Sequence, residues 1–130
     1  MSPDVNLTHR LLIVDDSEQI TTLLAESLSD LAVVAVAHSG DAALRQAQAF
    51  NPHVMLVDIV LPGFSGFEVV DALRRRPGGL EAVVIFVTGL QEPANVRRAM
   101  ELGAAAVLHK PLDMADVRRL VLDALNRSRT

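Results

Sequence analysis

The chain has no cysteine, no tryptophan and no tyrosine, and only four phenylalanines in 130 residues. Without cysteine there is no disulfide framework and no thiolate chemistry. With so few rings, a core has to be built mainly from Ala, Val, Leu, Ile and Met. Half the residues are hydrophobic, enough for a sizeable core in the single domain that this length predicts. A net charge of −4 argues against a nucleic-acid-binding surface. No apolar run is long enough to cross a membrane. The opening Met1-Ser2-Pro3-Asp4-Val5-Asn6 lacks the basic and apolar stretches of a secretory signal. The expectation is a soluble cytoplasmic domain with no direct nucleic-acid or membrane partner, preceded by a flexible N-terminus over residues 1–9.

Lysine is the scarcest charged residue. Of twelve basic residues, Lys110 alone is not arginine. An ammonium is a compact point charge on a thin stem, and a guanidinium is a broad planar fork. A lone lysine therefore suggests a slot that arginine does not fit. Lys110 follows the apolar run Ala104-Ala105-Ala106-Val107-Leu108 and precedes Pro111. That places it at the end of a buried strand, where it needs an anionic partner. Asp15-Asp16 and Asp58 end two other apolar runs.

Short apolar, valine-rich runs at 10–14, 32–37, 53–57, 82–87 and 105–109 are continuous rather than alternating. Such runs predict strands buried on both faces of a parallel sheet. Helical patterns fill the gaps. Ser17 is a good N-cap, and Ile20, Leu23, Leu24, Leu28 and Leu31 then recur on one face. A second helix over 40–50 carries Ala43, Leu44, Ala47 and Phe50 and stops at Asn51-Pro52. A third over 66–76 turns Phe67, Val70 and Leu73 inward. Its Arg74-Arg75-Arg76 suit a solvated C-terminal end. A fourth over 92–102 buries Val96, Ala99 and Met100, and a fifth over 113–127 buries Val117, Leu120, Val121, Ala124 and Leu125. Five β-then-α units predict an α/β doubly wound sandwich. The natural choice is a five-stranded parallel sheet of flavodoxin-like order 2-1-3-4-5, with its site at the carboxyl ends of strands 1 and 3.

Those ends are Asp15-Asp16 and Asp58. Clustered carboxylates repel one another, and protonation or a divalent cation relieves the repulsion. Oxygen donors suit Mg²⁺. The four histidines (9, 38, 53 and 109) lack metal-ligand spacing and read as surface or packing residues. Leu61-Pro62-Gly63-Phe64-Ser65-Gly66 forms a tight turn after Asp58. Thr88-Gly89 ends strand 4 with a hydroxyl at the rim. Nucleophilic carboxylate, metal, ammonium and hydroxyl together fit phosphoryl transfer through an acyl phosphate.

Taken in order, Asp15-Asp16, Asp58 with the 61–66 turn, Thr88-Gly89 and Lys110-Pro111 resemble the response-regulator receiver domain of two-component signalling, over almost the whole chain. The resemblance implies a receiver domain over residues 10–127. In it, Asp58 is the phosphoacceptor, supplied by a histidine kinase or histidine phosphotransfer protein. It implies Mg²⁺ held by Asp16, Asp58 and the backbone carbonyl of Val60, with Asp15 acting through water. Lys110 would pair with Asp58, Thr88 would turn towards the phosphoryl group, and the Lys110-Pro111 bond would be cis. The domain is then a signalling module rather than an enzyme, acting on an unknown downstream protein or effector domain. Two positions depart from the pattern. Val107 stands where receivers usually carry Tyr or Phe, which puts a coupled Thr–aromatic switch in doubt. Leu120 and Leu122 stand where many transcription-factor receivers carry dimer-forming arginines. A haloacid-dehalogenase-type hydrolase would need a second Asp at Val60, and a receiver-shaped module that is never phosphorylated is the other alternative. Kinase, signal, output, oligomeric state, and whether the receiver stands alone or belongs to a larger protein stay open.

Overall fold

Continuously apolar runs become strands, and amphipathic runs become helices, in strict alternation. The computed structural model describes residues 8–89 and 92–128. The elements are β1 (Arg10–Val14), α1 (Glu18–Leu28), β2 (Val33–Ala37), α2 (Gly40–Phe50), β3 (Val54–Asp58), α3 (Gly66–Arg75), β4 (Val83–Thr88), α4 (Pro93–Glu101), β5 (Ala106–His109) and α5 (Met114–Arg127). All strand pairs are parallel, in the order β2-β1-β3-β4-β5. This is the flavodoxin-like arrangement expected from the sequence.

Strand alternation sends successive residues to opposite faces. Leu12, Val14, Met55, Val57, Val84 and Phe86 pack with residues of α2, α3 and α4. Leu11, Ile13, Val54, Leu56, Ile85 and Val87 pack with α1 and α5. The central strands are thus covered on both sides, which is why they show no polar alternation.

Local chemistry sets the helix starts. Ser17, Ser39, Ser65 and Asp113 each accept a first-turn backbone N–H, satisfying donors that otherwise lack partners. Ser65 and Glu68 complete a reciprocal capping box. α2 stops at Asn51, whose φ of 52° lies in the left-handed region.

Several sequence expectations need correction. Leu23 is 53% exposed, because the buried stripe of α1 runs through Thr21, Leu24 and Leu28. Val96 and Met100 are also exposed, since α4 rests on the sheet through the small side chain of Ala99. Val69, not singled out in the sequence, is fully buried beside Val70. Phe67 is only part-buried, its ring set edge-on to Phe86 at 5.1 Å.

The expected limit between a flexible start and the folded unit falls at 9–10, and residues 1–7 lie outside the described residues. His9 is buried, and its carbonyl accepts the Val33 N–H at 2.9 Å. Its ring stands edge-on to His53 at 4.9 Å. His53 Nδ1 accepts the Arg10 backbone N–H at 2.9 Å, and the His53 backbone N–H donates to the Arg10 carbonyl at 2.8 Å. Burial, then the charges of Arg10 and His9, push the His53 imidazole below the ordinary value of 6.5. A His with a depressed folded pKa stabilises the fold above its unfolded pKa, and that stability is lost as pH falls through the folded pKa. The melting temperature should therefore drop on acidification below about pH 6.5. His53→Asn, which keeps an acceptor but cannot titrate, should flatten that part of the profile. An unchanged slope would remove His53 as its source.

Candidate functional site

Register gathers the polar residues at one end of the sheet. Val14 stands beside Val57, Asp58 beside Val87, and Thr88 beside His109. Asp15, Asp58, Thr88 and Lys110 therefore leave their strands, or follow them directly, at the same carboxyl edge. In a doubly wound sheet this edge, where strand order reverses, is the place for a site.

Asp15 and Asp58 are 2% and 5% exposed, whereas Asp16 is open to solvent. Asp15 is oriented by the Ser17 N–H, which donates to its Oδ1 at 2.9 Å. The Val60 N–H donates to Asp58 Oδ1 at 3.0 Å. Lys110 Nζ spans the two buried acids, 2.8 Å from Asp58 Oδ2 and 3.0 Å from Asp15 Oδ2. The Lys110 N–H donates to the Thr88 carbonyl at 2.8 Å, and the Lys110-Pro111 bond is cis. Thr88 is fully buried rather than at the rim. His109 is exposed, as is His38, which lies 3.1 Å from the Thr21 hydroxyl.

The turn after β3 is held against the site. The Gly66 N–H donates to the Ile59 carbonyl at 2.8 Å. A Cβ on Gly66 would lie 2.2 Å from the Asp58 carbonyl oxygen. Only glycine permits that approach.

The electrostatics leave the site short of positive charge. Burial raises the Asp58 pKa above its ordinary value, and the charge of Asp15 adds to the rise. The Lys110 and Val60 hydrogen bonds offset only part of it. Burial alone would lower Lys110, but hydrogen bonds and charges from Asp58 and Asp15 outweigh it and hold the ammonium above its ordinary value. One cation thus faces three carboxylates. Oxygens of Asp15, Asp16 and Asp58 all lie within 4.8 Å of one another. Close, hard oxygen donors with surplus negative charge fit a divalent cation of the Mg²⁺ type.

The sequence places Arg74 at a solvated helix end. Its Nε instead donates to the Leu102 carbonyl at 2.6 Å and its Nη1 to the Leu80 carbonyl at 3.3 Å. Nothing in its sequence neighbourhood sets it apart from Arg75 and Arg76.

Known proteins are similar to this chain over most of its length. The chain is 32% identical over 123 residues to the alkaline phosphatase synthesis transcriptional regulatory protein PhoP of Bacillus subtilis, covering 94% of this chain and 50% of that one. It is 32% identical over 131 residues to the response regulator PleD of Caulobacter vibrioides, covering 93% of this chain and 29% of that one. The chain therefore spans half or less of the length of these relatives. The signal receiver domain of NarL from Mycobacterium tuberculosis superposes with a TM-score of 0.83 at 30% identity, covering 93% of this chain and 98% of that one. The family model of the response regulator receiver domain matches residues 11–122. The chain belongs to the response regulator receiver domain family of two-component signalling.

Proposed function

We propose that Asp58 is the residue that takes the phosphoryl group, within a receiver domain bounded by residues 10–127. The observation that carries this reading is the Asp58 carboxylate itself, buried at the end of β3 and held by Lys110 and Val60 from one side each. An Asp58 oxygen attacks phosphorus and forms an acyl phosphate, while the bond from phosphorus to the donor breaks. With a phosphohistidine donor, the pair from the P–N bond returns to the imidazole. Lys110 stays beside the transferring group and offsets its charge. Asp15, Asp16, Asp58 and the Val60 carbonyl would hold Mg²⁺. That ion, when bound, supplies positive charge against the phosphoryl oxygens.

The donor is a histidine kinase or histidine phosphotransfer protein, and the domain works in the cytoplasm. Output runs through Thr88 and the connection to α4, because Val107 carries no ring. Thr88 gains a charge-assisted hydrogen bond on turning towards the phosphoryl oxygens. Gly89 and Glu92-Pro93 then pass the change to Arg97 and Arg98; Leu90 and Gln91 of this connection lie outside the described residues.

Acetyl phosphate with Mg²⁺ separates the readings. A receiver gains a labile adduct, and the proposal expects one. Multiple turnover of small phosphate esters would favour a hydrolase, and no reaction at all would mean a module that only binds. Metal binding has its own test. Millimolar Mg²⁺ should raise the melting temperature of the unphosphorylated domain by mass action, and Asp16→Ala should abolish the rise. A full rise in that variant would remove Asp16 from the ligand set.

A further inference from the structure

Helix α4 is held differently at its two ends. At its amino end Glu92 offers no side-chain cap, and Pro93 follows. In the first turn Asn95 Nδ2 is buried with no hydrogen-bond partner among the described residues. A buried amide without a partner among the described residues makes this seat costly. Val96 and Met100 face solvent, and Ala99 is the helix's one fully buried residue.

The carboxyl end is tied. Arg74, in the last turn of α3, donates from Nε to the Leu102 carbonyl at the C-cap of α4, and from Nη1 to the Leu80 carbonyl before β4. The last carbonyls of a helix have no partner within it, so this guanidinium supplies one from another helix. Gly103 makes room. Its φ of 81° is left-handed, and a Cβ there would stand 3.4 Å from Arg74 Nη2. A planar fork reaches two separated carbonyls from two different nitrogens, whereas an ammonium bonds from a single point.

We propose that Arg74 is a positioning residue for the switch: it pins the carboxyl end of α4 to α3, so that α4 pivots there and its amino end carries the displacement. The inference rests on the phosphoacceptor reading of Asp58. β4 delivers Thr88 to the site, and α4 begins just beyond it, so the loosely held end is the one nearer the chemistry. A nine-residue helix is about 13 Å long, and a tilt of about 10° about one end moves the other by about 2 Å.

Residue-resolved hydrogen exchange on the full chain, with Mg²⁺ and with or without beryllofluoride as a phosphoryl mimic, tests it. In the wild type, beryllofluoride-induced changes should be large over 92–98 and fade by 101–104. Arg74→Met keeps the apolar stem and removes the donors. It should speed exchange of the Leu102, Gly103 and Ala104 amides about tenfold without the mimic, the scale of one lost hydrogen bond. It should also extend the mimic's effect through 101–104. A purely structural role would loosen both states alike and leave the gradient in place. The same gradient in wild type and variant, or an undiminished change through 104 in the wild type, overturns the pin. No response anywhere in the wild type overturns the phosphoacceptor reading first. Should Arg74→Met fail to fold, Arg74→Lys, which keeps a single donor nitrogen in place of the fork, should show the same spreading to a smaller extent, and a wild-type gradient there overturns the proposal.

Discussion

Lys110→Arg should leave a folded domain that labels from acetyl phosphate at least tenfold more slowly, about 1.4 kcal/mol or more of lost transition-state stabilisation. The slot explains the expectation. Nζ lies between Asp15 and Asp58 at 3.0 and 2.8 Å, with two polar contacts converging on one atom. A guanidinium spreads its charge over a plane and prefers to grip one carboxylate with two nitrogens. It would reach the same acids only by moving one of them, and both are buried and fixed by the N–H groups of Ser17 and Val60. Lys110→Met is the sharper control, because it leaves two buried carboxylates with no cationic partner. It should lose both phosphorylation and Mg²⁺-free stability, with Mg²⁺ restoring part of the latter. Wild-type labelling kinetics in the arginine variant would break the argument built on the chain's single lysine.

Much of this was legible in the sequence because parallel strands covered on both faces leave a strong trace. Val54-Met55-Leu56-Val57 can hardly be anything but interior, and it ends on Asp58. The site followed because each of its residues ends or directly follows such a run, and fold topology alone then brings Asp15, Asp58, Thr88 and Lys110 to one edge. Helix faces were less legible. Leu23 and Leu24 are equivalent by composition, and 100° of helical rotation puts one in water and the other in the core. Val96 and Met100 fit an apolar stripe that α4 does not bury, because a helix can seat on alanine alone. Thr88 stands at a strand end, yet its side chain is covered. Arg74 departs furthest from its place at a solvated helix end. Its partners, Leu80 and Leu102, offer backbone carbonyls, and carbonyls leave no mark in a sequence.

The account stands on Asp58 as the one acceptor. On the proposed reading its carboxylate is the nucleophile, and Asp15, held by Ser17 and Lys110, and Asp16, exposed to solvent, serve the metal beside it. Asp58→Asn removes the nucleophile but keeps the volume and an oxygen facing the Val60 N–H. The fold should therefore survive while the chemistry stops. Intact-mass measurement after acetyl phosphate and Mg²⁺ decides it. The wild type should gain one phosphoryl group and Asp58→Asn none, with both proteins melting cooperatively; full labelling of Asp58→Asn would contradict the account.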